Sequence, residues 1–204
     1  MTKRLLKTGQ ALAQSLAGRE PLKLADPAAI PAAVLMPLWD QAEGVQVVFT
    51  KRTARLPHHA GQISFPGGVR DPGDCNLLDT ALRETQEEIG VSPRQVSVVA
   101  RLDQVLTATS NFLVTPYVGL LDAEASFAPN PVEVDRLVIV PLYKVLDRAN
   151  YCETELSLNG ELRQEVALTH DGQVIWGATA RILTNLLEAL GPKALQVAAL
   201  GRAS

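Results

Sequence analysis

The apolar positions of the chain fall into short continuous runs and into longer stripes with helical spacing. Partly β-branched runs at 32–39 and 45–52, separated by the polar segment DQAEG, predict two strands joined by a loop. Further strands are expected at 96–108, 112–121 and 137–140, and a hairpin is expected around 170–172. Pro37, near the end of the first run, predicts that this strand lies at a sheet edge or ends there.

Three stripes with a spacing of three to four residues predict helices. The first helix packs on the body of the protein through Leu5, Leu12 and Leu16, and the last helix covers 178–190. A central helix begins near 74–76, where a side-chain oxygen can cap free amides, and ends at Gly90. Its apolar stripe comprises Leu78, Ala81, Leu82, Thr85 and Ile89.

A length of 204 residues predicts one α/β or α+β domain with terminal extensions. The expected division is a helical extension over 1–28, the main domain over 29–192 and a C-terminal tail over 193–204. A hydrophobic fraction of 47% with 20% charged residues excludes a wholly disordered chain.

A formal net charge of −3 argues against a general nucleic-acid or anionic-membrane binder, because such proteins carry a basic surplus. The two cysteines, Cys75 and Cys152, do not suggest a disulfide framework, and the N-terminal segment has no continuous secretory core. No apolar stretch reaches the roughly 18 residues needed to span a bilayer. Together with the cysteine usage and the net charge, this predicts a cytoplasmic protein that binds no membrane.

The central helix carries a dense group of charges. Glu84, Glu87 and Glu88 are helical neighbours on the side opposite the apolar stripe, so their carboxylates are expected to converge. Like charges at this spacing destabilise a helix by about 0.2–0.5 kcal/mol per pair, which a bound cation such as Mg²⁺ would offset. A solvated acidic face paired with Arg83 is the alternative interpretation.

The segment FPGGVRDPGD before this helix favours the metal interpretation. Gly67 and Gly68 allow the backbone to approach a ligand closely, and the entry to the helix directs free amides towards an anion. Cations that neutralise phosphoryl oxygens, together with a metal-polarised water, are the groups that diphosphate hydrolysis needs.

The stretch from Gly68 to Val91, ending in RETQEEIGV, resembles the Nudix box: a glycine, five residues, an acidic residue, a spacer and the Arg-Glu-apolar-x-Glu-Glu-x-Gly core. Asp74 stands where glutamate is usual, eight residues rather than seven separate it from Arg83, and Thr85 replaces an apolar residue. The longer spacer and the upstream segment VFTKRTARLPHHAGQISFPGG are similar to the subfamily that hydrolyses coenzyme A and its derivatives.

This resemblance implies an α/β/α sandwich around a mixed sheet and a diphosphatase that depends on Mg²⁺ or Mn²⁺. The implied substrate is a small nucleotide, coenzyme A or a derivative, cleaved to adenosine 3′,5′-bisphosphate and 4′-phosphopantetheine. A broader hydrolase of ADP-ribose or NADH, and a non-catalytic nucleotide sensor, are the alternatives. The protein is not expected to bind nucleic acid, and a homodimer is possible.

The resemblance also assigns roles to individual residues. Glu84, Glu87 and Glu88 match the metal-binding glutamates, Arg83 matches the arginine that orients them, and Asp74 is a weaker candidate beside them. Gly67 and Gly68 form the turn. Glu133, after an Asn-Pro loop, is a candidate catalytic base or ligand of a third metal, with a solvated loop carboxylate as the alternative. Arg52 and Arg55 are the candidate substrate-binding arginines, and one or the other is expected to bind the ribose 3′-phosphate of coenzyme A through its planar fork. Pro57 occupies the subfamily's second arginine position, whose charge Lys51, Arg55, His58 or His59 could replace.

Overall fold

The structure is a computed structural model that describes residues 1–54, 61–107, 110–158 and 161–203. The helices are α1 (Lys3–Leu16), α2 (Leu77–Ile89), α3 (Leu142–Val145), α4 (Gly177–Leu190) and α5 (Lys193–Leu200). The strands are β1 (Ile30–Gln41), β2 (Gly44–Arg52), β3 (Ile63–Ser64), β4 (Gly67–Val69), β5 (Val96–Arg101), β6 (Val105–Leu106), β7 (Phe112–Leu121), β8 (Val134–Pro141), β9 (Tyr151–Leu158), β10 (Glu161–His170) and β11 (Gln173–Ile175). Across these ranges no helix is long and apolar enough to cross a membrane.

A mixed sheet forms the centre of the described part of the chain. Its main path runs β3-β2-β1-β7-β5, while β4 pairs with β1, β6 with β7 and β8 with β2. The central pair β1 and β7 is parallel, and the other pairs are antiparallel. The predicted strand pair at 32–39 and 45–52 is therefore confirmed as β1 and β2.

Pro37 lies within β1, so the prediction that it marks an edge or a strand end is wrong. On one side it is in register with Gly119 of the parallel strand β7. On the other side, β1 pairs with β4 up to Val34 and with β2 from Leu38 onward. A proline lacks a backbone N–H, and it is tolerated in this central strand because it falls between two antiparallel partners.

Helices cover both faces of the sheet. On one face, Ala33 and Leu35 of β1 pack with Ala81 of α2. On the other face, alternate residues such as Met36 and Leu38 belong to the main core with α1, α4 and α5. This alternation follows from the two-residue side-chain period of a strand. The expected α/β/α sandwich is confirmed.

The terminal segments contribute to the main core. Leu5 and Leu12 of α1 are fully buried in it, as the leucine spacing predicts. Residues 193–200, assigned to the tail from the sequence, form α5 and bury Ala194, Val197 and Ala198. The backbone N–H of Val45 in β2 donates to the carbonyl of Gly201 at 2.6 Å, which ties the end of α5 to the sheet.

A second, three-stranded sheet is built from β9, β10 and β11. The predicted hairpin around 170–172 joins β10 to β11, with Asp171 and Gly172 at φ values of 47° and 71°. The longer β9–β10 hairpin is not predicted from the sequence. Its strands carry polar residues at many positions, as in the pair of Glu165 with Thr154, so they lack the apolar pattern of a typical strand.

Candidate functional site

Helix α2 starts and ends where the sequence predicts. The Asn76 side chain accepts hydrogen bonds from the backbone N–H groups of Leu78 (2.8 Å) and Asp79 (3.1 Å). Gly90 closes the helix in the left-handed conformation, at a φ of 77°. Thr85 is buried at an apolar position of the stripe, and its hydroxyl donates to the carbonyl of Ala81 at 2.6 Å. The hydroxyl is thereby satisfied inside the core, which explains how threonine is accommodated there.

The glycine turn brings strand β4 against the same helix. Gly67 and Gly68 pair with Val34 and Ala33 of β1. A Cβ atom on Gly68 would lie 2.5–2.7 Å from the carboxyl atoms of Glu84, so only glycine lets Glu84 occupy this position. The turn and the helix therefore form one unit.

Arg83 is the centre of the polar contacts on this unit. Its Nη1 donates to Glu84 at 2.8 Å and to Glu87 at 2.9 Å, and its Nη2 donates to the carbonyl of Val69 at 3.2 Å. Nε and Nη2 also donate to the two oxygens of Asp74, each at 3.0 Å. The guanidinium therefore fixes two of the three glutamates relative to the turn, as the resemblance implies.

Asp74 is the nearly buried partner of Arg83. Its carboxylate also accepts hydrogen bonds from the backbone N–H of Asp71 (2.9 Å) and the hydroxyl of Thr80 (2.8 Å). The hydrogen bonds from Arg83, followed by those from Asp71 and Thr80, hold the pKa of Asp74 well below its usual range, against the opposing effect of burial. Thr80 was not identified from the sequence, because an isolated threonine on a helix carries no distinctive signal.

Glu88 is placed differently from the other two glutamates. Its side chain is 3% exposed, whereas that of Glu87 is 54% exposed. Across the gap to β2, the Thr50 hydroxyl lies 3.5 Å from one carboxyl oxygen, and Nη1 of Arg52 lies 3.7 Å from the other. Burial raises the pKa of Glu88 to about 8, the charges of Glu84 and Glu133 add to this, and the Arg52 charge opposes it.

The prediction that the three carboxylates converge on one side of α2 is wrong for this structure. Glu84 and Glu87 turn towards Arg83, while Glu88 turns towards β2. Accordingly, in the described ranges no group of three or more His, Cys, Asp or Glu side chains is arranged to hold a metal ion. Arg83 attracts the carboxylates of Glu84 and Glu87, whereas Arg52 attracts that of Glu88.

Glu133 lies close enough to influence this cluster. It sits in a loop whose backbone joins it to β2, since the N–H of Thr53 donates to its carbonyl at 2.9 Å. Burial raises the pKa of Glu84 against the effect of Arg83, and the charges of Glu87 and Glu133 raise it further. The predicted base candidate is therefore brought to the same site as the helix glutamates.

The residues present fit a hard divalent cation in their chemistry. The donors are carboxylates, the ligand type that such cations prefer. Burial and mutual repulsion disfavour the charged forms of Glu84 and Glu88 and raise the pKa values of both, and a bound cation would favour those charged forms. Glu84, Glu87 and Glu88 could hold it after their side chains turn away from the arginines.

The remaining candidates are Arg52 and four residues of the segment that follows it. Arg52, at the end of β2, lies at the site beside Glu88. Arg55, Pro57, His58 and His59 lie outside the described residues. The cysteines Cys75 and Cys152 are both free, in agreement with the sequence.

Comparison with known proteins extends this picture. The NUDIX domain model matches residues 29–152. The uncharacterised Nudix hydrolase NudL of Photorhabdus laumondii is 38% identical over 157 residues, covering 77% of this chain and 83% of the relative. The NudL protein of Yersinia enterocolitica is also 38% identical, and the alignment covers 80% of its length.

Among solved structures, a NUDIX hydrolase from Alicyclobacillus acidocaldarius shares the fold with a TM-score of 0.50 at 19% identity. That likeness covers 83% of this chain and 96% of the other. Nudix hydrolases generally use divalent metal ions, in keeping with the carboxylate chemistry of α2. Because the domain model covers more than half of the chain and the relatives cover most of it, this protein belongs to the Nudix family and is a Nudix hydrolase.

Proposed function

We propose that the protein is a metal-dependent diphosphatase that cleaves coenzyme A or its derivatives to adenosine 3′,5′-bisphosphate and 4′-phosphopantetheine. The observation that carries this proposal is the meeting of two motif segments. Thr50 and Arg52, from the upstream motif, lie against Glu88, and Gly68, at the end of that motif, abuts Glu84. The described residues of the segment similar to the coenzyme A subfamily therefore form one wall of the candidate metal site.

Each residue has a role that its contacts support. Glu84, Glu87 and Glu88 would hold Mg²⁺ or Mn²⁺, which when bound neutralises phosphoryl charge and polarises water. Arg83 orients Glu84 and Glu87 through its hydrogen bonds. Asp74 in turn fixes Arg83 and substitutes for the usual glutamate of the box. These contacts keep the glutamates near the glycine turn before substrate arrives.

Glu133 is the proposed general base. It is half-buried in a loop joined to Thr53, and its charge acts on both Glu84 and Glu88. A carboxylate held near the metal-binding glutamates can accept a proton from the attacking water. The products are then two phosphate monoesters, with the oxygen of water added to one phosphorus and the bridging oxygen kept by the other.

A substrate panel tests the proposal. Coenzyme A, an acyl-coenzyme A, ADP-ribose, NADH and 8-oxo-dGTP are incubated with the protein with and without Mg²⁺, and the products are identified by mass spectrometry. The expected result is the highest kcat/KM for coenzyme A or its thioester, with adenosine 3′,5′-bisphosphate as a product and no turnover after chelation.

Two other results would redirect the assignment. Comparable rates on ADP-ribose or NADH would favour the broader diphosphatase. Pro57 is the reason to test this alternative, because it occupies the position of the subfamily's second arginine. Tight nucleotide binding without hydrolysis would favour a sensor. Intact Glu84, Glu87 and Glu88 speak against the sensor, because a binding module has little need for the whole set.

A further inference from the structure

Arg52 differs from Arg83 in how its donors are used. Arg83 donates hydrogen bonds to Asp74, Glu84, Glu87 and a main-chain carbonyl. The Nε of Arg52 is buried and has no hydrogen-bond partner among the described residues. Its charged neighbour there is Glu88, whose nearest oxygen is 3.7 Å from Nη1 and thus outside hydrogen-bond distance. A buried donor without a partner is costly, and it calls for an explanation.

The backbone directs this arginine into the site. Side chains two positions apart in a strand point to the same face, and Arg52 lies two positions after Thr50 in β2. Arg52 follows Thr50 onto the face of β2 that meets Glu88, while Lys51 points to the opposite face, with its Nζ 3.4 Å from Oε1 of Gln173.

We infer that Arg52 binds the diphosphate group of the substrate, rather than the ribose 3′-phosphate that distinguishes coenzyme A. The inference rests on the proposed function, because it concerns the same substrate class. A guanidinium beside the metal-binding glutamates meets the two phosphoryl groups that any such substrate presents, and its planar fork matches phosphate oxygens. Substrate oxygens also satisfy the donors that the protein leaves open.

Kinetics of Arg52→Met on two substrates test this role. Coenzyme A and dephospho-coenzyme A carry the same diphosphate, but only coenzyme A has the 3′-phosphate. The expected result is a loss of kcat/KM of about tenfold to a hundredfold on both substrates to the same extent, the size of one charged hydrogen bond. Arg52→Lys, which keeps the charge and loses the fork, is expected to lose less.

Arg136→Met is the matched control, because Arg136 of β8 pairs with Lys51 and contacts Gln173, on the face of the sheet opposite Glu88. It is expected to change kcat/KM less than threefold on either substrate. A loss with Arg52→Met on coenzyme A alone would assign the residue to the 3′-phosphate and overturn the inference.

Binding measurements separate a diphosphate contact from a purely structural role beside Glu88. Calorimetry compares the affinity for Mg²⁺ alone with the affinity for α,β-methylene-ADP, whose diphosphate cannot be hydrolysed, at saturating Mg²⁺. Arg52→Met is expected to weaken the nucleotide about tenfold or more and to change Mg²⁺ affinity less than threefold. Weaker Mg²⁺ binding with unchanged nucleotide affinity would overturn the inference. If the wild-type protein neither binds this nucleotide nor cleaves any substrate, the proposed function itself has failed.

Discussion

Arg83 donates hydrogen bonds to both carboxylate oxygens of Asp74, from Nε and from Nη2, each at 3.0 Å. Asp74 lies in the loop before α2, and Arg83 lies at the middle of that helix, so the pair ties the loop to the helix that carries the glutamates. Because the same guanidinium also holds Glu84 and Glu87, the geometry of the candidate site depends on this contact.

We expect Asp74→Asn to lower both stability and activity. The substitution removes a nearly buried charged acceptor, so the free energy of unfolding at pH 7 should fall by about 2 kcal/mol. The depressed pKa of Asp74 means that its stabilising effect is present above the unfolded-state pKa near 4 and is lost as pH falls towards the lower folded-state pKa. Denaturant unfolding at pH 7 and below pH 4 measures this.

The control for that experiment is Asp71→Asn, a neighbouring exposed carboxylate in the same loop. It should change the free energy of unfolding by no more than about 0.5 kcal/mol. An Asp74→Asn variant that is as stable as the wild type at pH 7 would contradict the assigned role.

Glu87→Gln should reduce turnover far more than stability. Its carboxylate is largely exposed, and its contact with Arg83 is an i,i+4 surface pair, so the free energy of unfolding should change by about 0.5 kcal/mol or less. The kcat at saturating Mg²⁺ should nevertheless fall by about tenfold or more if Glu87 holds the metal. Glu188→Gln, an exposed glutamate on α4, should retain full activity. Near wild-type kcat for Glu87→Gln would show that the metal assignment is wrong.

Metal affinity should increase with pH because Glu88 must lose a proton to bind a cation. Its pKa is raised to about 8, chiefly by burial, so below that pH the carboxyl is mostly protonated in the metal-free protein. The affinity for Mn²⁺ should rise by about tenfold per pH unit below 8 and level off above it. Calorimetry between about pH 6.5 and 9 measures this, because that range spans the pKa of Glu88. An affinity independent of pH would exclude Glu88 as a ligand.

Gly68→Ala should impair the site through a single methyl group. The added Cβ would meet the Glu84 carboxyl at 2.5–2.7 Å and displace it from the turn. We expect kcat to fall by about tenfold or more, because a small displacement of the Glu84 carboxylate from its position lowers the rate even when the fold is kept. Gly73→Ala, in the same loop, would meet only the Asp71 side chain at 3.2 Å, and it should keep most of the activity. Equal activities of the two variants would contradict the proposed packing.

The sequence by itself was sufficient for the local features of α2. Asn76 at the start and Gly90 at the end are capping residues whose preference is set by backbone chemistry within a few positions. The order of Arg83 and the three glutamates also comes directly from the chain, because helical spacing makes such residues neighbours. The β1–β2 strand pair and the buried stripe of α4 were predictable for the same reason, as periodicity is a local property.

Contacts between distant segments were decided only by the tertiary structure. The burial of Glu88 depends on Thr50 and Arg52, which lie more than thirty positions earlier and come beside it through the pairing of β2 in the sheet. Whether residues 193–200 form a packed helix or an exposed tail depends on the apolar surface that α1 and the sheet leave for α5 to cover. Helical spacing predicts which glutamates are neighbours, but burial and the nearest arginine decide which way each carboxylate turns, because both depend on residues that only folding brings together.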